Sequence, residues 1–166
     1  GNYLWARSLG STNNDYSYSV AVDSSGNVYT TGYFDGTVDF DPDPDPLATA
    51  ELTSNNRDVF VSKLDSSGNY VWARSFGSYG TDYGSSVAVD SSGNVYTTGH
   101  FSNTVDFDPD PLATADLTSN GSYDVFVSKL DSSGDYVWAK GFGGTSGDEG
   151  HSVAVDSSRN VYITGS

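Results

Sequence analysis

The densest set of chemistry-bearing side chains in this 166-residue sequence is an acidic run that occurs twice. Asp39, Asp41, Asp43 and Asp45 stand at alternate positions of DFDPDPDPLATAEL, and Asp106, Asp108 and Asp110 do so in DFDPDPLATADL. Proline at every second place favours an extended backbone. In such a segment alternate side chains point the same way. Carboxylates crowded on one side repel one another unless a cation sits among them, and hard oxygen donors favour calcium. Calcium is therefore the expected metal. A solvated acidic loop that keeps a sheet edge from pairing is the alternative. The run is not an EF-hand, because its sixth residue is Pro44 or Pro111 and its twelfth is Ala50 or Leu117.

A second recurring set comprises Asp15, Asp82 and Asp148, beside Tyr16, Tyr83 and Glu149. Tyrosine with aspartate is a sugar-binding composition, so these residues are candidate ligand contacts. The same aspartates could equally cap a loop and bridge neighbouring sheets. Trp5, Trp72 and Trp138 recur in LWARSLG, VWARSFG and VWAKGFG, which fits packing between repeated units. Arg7, Arg74 and Lys140 occupy one repeated position and Lys63 and Lys129 another; neighbouring acids are their expected partners.

Catalysis finds little support. His100 and His151 lie at non-equivalent positions, matching Tyr33 and Ser85. There is no cysteine, no G-x-S-x-G and no phosphate loop ahead of a helix. A glycosidase pair could be drawn from the many aspartates, but they repeat with the unit, whereas an active site breaks such symmetry. The sequence is read as non-enzymatic. A net charge of −15 argues against nucleic acid and anionic membranes. No apolar run approaches the ~20 residues of a membrane-spanning helix.

These residues are positioned by a repeat. The tryptophans are 67 and 66 residues apart, and Asp23, Asp90 and Asp156 reproduce those intervals. The chain thus reads as about two and a half units: 1–67, 68–133 and the partial 134–166. Four short segments recur, exemplified by a at 86–90, b at 95–101, c at 125–130 and d at 136–142. They alternate with period two and are rich in Val, Tyr, Phe, Trp and Thr, which predicts strands. Asp-Ser-Ser-Gly joins a to b and c to d at 23–26, 65–68, 90–93 and 131–134. Aspartate accepting backbone N–H groups and a left-handed glycine make this a tight hairpin. Arg159 replaces the glycine at 156–159, so that turn is expected to be the weakest or to change shape. Gly1-Asn2-Tyr3 matches Gly68-Asn69-Tyr70, so the strand order reads d, abcd, abcd, ab: eleven strands.

Four antiparallel strands per unit match a β-propeller blade. The runs NDYSYSVAVDSSGNVYTTG (14–32), DVFVSKLDSSGNYVWARSFG (58–77) and DVFVSKLDSSGDYVWAKGFG (124–143) resemble the bacterial SBBP β-propeller repeat family. That resemblance implies an all-β blade fold and an exported protein, extracellular or on the cell surface. It implies no catalytic activity. About two and a half blades do not close a propeller, so partners are expected: further blades of a longer chain, or other copies by self-association. Glycans are the alternative partners. The expected role is a calcium-stiffened structural and interaction module.

Overall fold

The computed structural model describes residues 1–43 and 49–166. Alternation of branched or aromatic residues with small polar ones produces strands throughout, and there is no helix among the described residues. The first antiparallel sheet runs β1 (Tyr16–Val22), β2 (Val28–Asp39), β3 (Glu51–Leu64) and β4 (Tyr70–Phe76), in that order. The second contains β5 (Tyr83–Val89), β6 (Val95–Phe101), β9 (Asp124–Leu130) and β10 (Tyr136–Phe142). Between β6 and β9, a short pair joins β7 (Thr104–Asp106) to β8 (Asp116–Thr118). A further pair, β11 (Gly150–Val155) with β12 (Val161–Gly165), follows the second sheet.

Register recurs from sheet to sheet. Val20 pairs with Thr30, Val87 with Thr97 and Val153 with Ile163, each beyond a bulge at the start of the first strand. The bulge requires a glycine opposite it. A Cβ on Gly99 would lie 1.7 Å from the Tyr83 carbonyl oxygen, and one on Gly32 would meet Tyr16 in the same way. The β7–β8 pair repeats the outer part of β2–β3: Thr104 faces Thr118 as Thr37 faces Thr53. The acidic run therefore begins within strands, at Asp39 and Asp106. The preceding valines, Val38 and Val105, are buried and hold those strand ends down.

The core lies between sheets. Tyr29, Val59, Val61, Trp72 and Phe76 of the first sheet form one cluster with Val87, Val95, Phe101, Phe107, Phe126 and Leu130. The other face of the first sheet holds Phe34, Phe40 and Phe60, with Leu9 against them. Each layer contains the same aromatic trio. Phe34–Phe40 and Phe101–Phe107 meet edge to face at 5.5 and 5.6 Å, and Phe40–Phe60 and Phe107–Phe126 meet at 5.2 and 5.1 Å. Edge-to-face pairs at this spacing add about 0.5–1.5 kcal/mol beyond area burial.

One expected strand is missing. Residues 1–10 carry the d pattern but form no ladder, because d pairs with c, as β4 does with β3 and β10 with β9, and no c strand lies beside them in this structure. The segment still docks as β4 does. Trp5 Nε1 donates to the Ser66 carbonyl at 3.0 Å, as Trp72 Nε1 donates to that of Ser132 at 3.2 Å. Each indole lies against the turn glycine of the following repeat, Gly68 or Gly134, where a Cβ would come within 2.8–2.9 Å of the ring. Arg7 and Arg74 donate from Nε to the carbonyls of those same glycines, both at 2.9 Å.

This corrects the expected acidic partners of the basic residues. Turn carbonyls and rings take that place, with Lys63 and Lys129 over Tyr29 and Tyr96 at 5.3 and 5.1 Å. The ion pair from Arg74 to Asp135 is long, at 3.8 Å and on an exposed carboxylate.

Because Trp72 is 4% exposed, Trp72→Ala is expected to destabilise the chain by about 3–5 kcal/mol in urea unfolding. Trp5→Ala, at the half-covered equivalent, should have a clearly smaller effect. Equal losses would refute the role of the indole as an inter-sheet wedge.

Candidate functional site

Most of the aspartates sort into three structural populations. The first holds the turns. In each Asp-Ser-Ser-Gly hairpin the carboxylate accepts the backbone N–H groups two and four residues on; for Asp90 these are Ser92 at 2.8 Å and Asn94 at 3.0 Å. Burial of Asp90 opposes ionisation, but these bonds, with those from the Asn94 amide and Tyr96 hydroxyl, outweigh it and lower its pKa. Asp156 is likewise held low by Asn160. The turn closed by Arg159 keeps the common shape, with φ at 66° and its N–H on the Asp156 carbonyl at 3.0 Å. Its guanidinium reaches across to Ser92 Oγ at 2.8 Å, a contact that rewards the left-handed backbone.

The second population is the acidic run. Asp106 Oδ1 accepts from the N–H groups of Asp108 (3.0 Å) and Ala115 (2.8 Å), Asp108 from Asp110, and Asp110 from Leu112. Asp39 does the same with Asp41 and Ala50, and Asp41 with Asp43. Each of these carboxylates thus curls back onto its own backbone, which gives the alternating spacing a local cause. Among the described residues no three acidic or histidine side chains converge as a metal site. Asp45 lies outside the described residues.

The third population sits in the loops entering each sheet. Asp82 is fully buried and accepts from Ser78 N at 2.8 Å, Ser78 Oγ at 3.2 Å and Ser102 N at 2.7 Å. Its own N–H donates to the Arg57 carbonyl of the previous sheet, and Asp148 N–H donates to that of Tyr123, both at 2.9 Å. Asp15 clamps Ser11 and the N–H of Asp35 in the same manner. These aspartates staple loops and join sheets, while the adjoining Tyr16, Tyr83 and Glu149 remain partly or largely open.

The structure brings those open residues into a strip that crosses the sheets. Tyr16 stacks on Tyr33 at 5.3 Å, Tyr33 meets Tyr83 at 4.6 Å, Tyr83 meets His100 at 4.8 Å, and His100 meets Tyr123 at 4.9 Å. Arg57 lies over Tyr33 at 5.2 Å and donates from Nη1 to the Tyr83 hydroxyl at 2.6 Å. A shallow cleft of about 410 Å³ beside it is lined by His100, Tyr123 and Glu149, among others. The grouping of His100, Arg57 and Tyr123 escapes a reading of the sequence because they lie far apart in the chain, on β6, on β3 and just ahead of β9. Their one visible signal is that they differ from the residues at matching positions.

Two further acids were not singled out by the sequence. Asp58 and Asp124 occupy equivalent positions in the third strand of each sheet, and the Oδ1 of each is buried without a hydrogen-bond donor among the described residues. Each is packed against a glycine, Gly77 or Gly143, where a Cβ would strike the carboxylate. Burial, reinforced by the Asp82 charge and only partly offset by the Asn55 N–H, pushes Asp58 up to about 6.

The SBBP β-propeller repeat matches residues 4–37, 71–100 and 137–166. With more than half of its length matched, the chain belongs to the SBBP β-propeller repeat family. A WD repeat-containing protein of Acanthamoeba polyphaga mimivirus is 27% identical across 98% of this chain, which spans 13% of that protein. Regulatory protein FlaEY of Caulobacter vibrioides is 32% identical across 65% of this chain, which spans 11% of it.

An acid whose pKa is higher folded than unfolded binds its proton more tightly in the folded state. Its stabilising contribution is present at low pH and lost as pH rises from about 3.8 to about 6. Asp58→Asn lacks this dependence. The stability difference between wild type and variant should therefore move in favour of wild type by up to about 3 kcal/mol on going from pH 7 to pH 4. Parallel pH profiles in chemical denaturation would contradict the assignment.

Proposed function

We propose that the chain is a non-enzymatic structural and interaction module, a run of propeller blades of 66–67 residues working in an exported surface, matrix or filament assembly. Its open flanks are closed by further blades, supplied by the same polypeptide or by another copy. The observation that carries this reading is the unequal exposure of equivalent side chains. Val87 and Val153 are 5% and 6% exposed, whereas Val20 at the matching position of β1 is 62% exposed. Val87 is covered because β5 lies against β1, with its N–H on Ser19 Oγ at 3.2 Å. On the far flank, Tyr162 is 58% exposed although its counterparts Tyr29 and Tyr96 are at 0% and 1%.

Together with Tyr16, Tyr18 and Val22, Val20 forms an apolar row along one side of β1. Covering a valine or larger apolar side chain stabilises by about 1.5–3 kcal/mol, so a matching sheet gains from docking there. The family match and the WD repeat-containing relative support an interaction role. Export rests on the family resemblance alone.

Sedimentation velocity across a concentration series tests the reading. The expected result is association that rises with concentration and is weakened by Val20→Lys and by Tyr162→Lys. A monodisperse compact monomer, indifferent to both substitutions, would end the self-association part. Binding to a glycan array at repeat-equivalent residues would instead favour a carbohydrate-binding propeller.

Calcium is a separable element of the proposal, supported by the recurrence of the acidic run. Added calcium is expected to raise the melting temperature and a chelator to lower it. Melting that is unchanged by either removes calcium from the reading.

A further inference from the structure

The two junctions between successive sheets share one backbone plan and differ in chemistry at three positions. At the first junction the Arg57 carbonyl accepts from Asp82 N–H; at the second the Tyr123 carbonyl accepts from Asp148 N–H, both at 2.9 Å. A parallel bridge accompanies each, Arg57 with Thr81 and Tyr123 with Gly147. Tyr83 pairs with His100 across its sheet as Tyr16 pairs with Tyr33. Arg57, Tyr33 and Tyr83 at the first junction therefore correspond to Tyr123, His100 and Glu149 at the second.

The first junction contains its own cation. The Arg57 guanidinium lies 5.2 Å from the centre of the Tyr33 ring and donates to the Tyr83 hydroxyl at 2.6 Å. It shows how this backbone plan cradles a planar cation: a ring beneath it and an oxygen acceptor at its edge. At the second junction the guanidinium is replaced by Tyr123, and the acceptor is the carboxylate of Glu149 in place of a phenol. The rings remain, with His100 4.9 Å from Tyr123 and 4.8 Å from Tyr83. Beside them is the cleft of about 410 Å³, whose lining also includes Ser102 and Ser122.

We infer that this cleft binds a guanidinium from outside the chain, the arginine side chain of a partner protein, in the role that Arg57 fills one junction earlier. A carboxylate is a stronger, charge-assisted acceptor than a phenol and matches the guanidinium fork. Aromatic faces add a cation–π attraction. A net charge of −15 draws basic segments toward the surface. Burial, opposed by Glu149 and aided by His151, lowers the His100 pKa, so the imidazole adds no competing positive charge at pH 7. This site is independent of flank docking, because every residue it uses lies within the two junctions.

The probe is the blocked peptide acetyl-Gly-Arg-Gly-amide, titrated at pH 7 and followed by amide and ring resonances. The expected result is saturable movement of the His100 and Tyr123 signals, weakened tenfold or more in Glu149→Gln. Tyr123→Arg, which restores the internal cation, should abolish binding while leaving the remaining amide spectrum intact. Absence of any saturable shift would overturn the assignment, as would equal affinity in Glu149→Gln. Equal binding of acetyl-Gly-Lys-Gly-amide would also overturn it, because the cleft would then read charge without the planar group. Self-association is measured separately by sedimentation, so failure of either proposal is seen without the other.

Discussion

A four-stranded sheet with aromatic and branched side chains on both faces cannot bury them within itself, and here that constraint organises the rest. The aromatic trio within each layer has nearly the same distances and angles, and the second trio is met by the preceding sheet through Phe76, 5.5 Å from Phe107. The tryptophan and arginine of β4, and those of the unpaired segment 1–10, reach forward onto the following turn. Stability is therefore a property of neighbouring sheets taken together, as in other repeat architectures. The same dependence leaves β1 and β12 with side chains that their equivalents elsewhere keep covered.

Acidity in this chain is mostly structural. The hairpin carboxylates of Asp90 and Asp156 are stabilised as anions by hydrogen bonds from the backbone and from the neighbouring asparagine, whereas Asp58 and Asp82 are pushed the other way by burial. The first kind fixes local conformation at almost any physiological pH. The second ties the junction between sheets to the protonation state. The hairpin aspartates recur by position, so a large part of the acid in the sequence is committed to turns.

What the sequence revealed and what it concealed divide along the range of the interactions. The hairpins were legible because Asp, Ser, Ser and Gly specify them within four residues. Strand identity was legible from alternation, and sheet order from recurrence. The failure of residues 1–10 to form a strand was not, since it depends on the neighbour that would pair with them. The basic residues were misassigned to acids for a related reason: their carbonyl partners lie about sixty residues away, in the next repeat. Charge alone does not show which backbone group a long side chain will meet. Asp58 and Asp124 were overlooked because nothing near them in the chain marks them as buried. The Tyr83–His100–Tyr123 strip emerged only after three strands were brought side by side. Arg159 is the converse case, where a locally unfavourable residue keeps the common turn with the help of a distant hydroxyl.

The recurrence of register has a consequence for how the molecule reaches its native state. A hairpin from the first sheet has nearly the same side chains, bulge and turn as its counterpart in the second. Either could enter the wrong slot with most hydrogen bonds satisfied, so misassembly by one whole repeat, or strand exchange between two molecules, is an energetic near-miss. The differences that discourage it are the few residues that depart from the repeat, including the extra Asp-Pro pair and the unlike groups at the two junctions. Irregularity in so regular a chain thus acts as an address, telling each hairpin where it belongs.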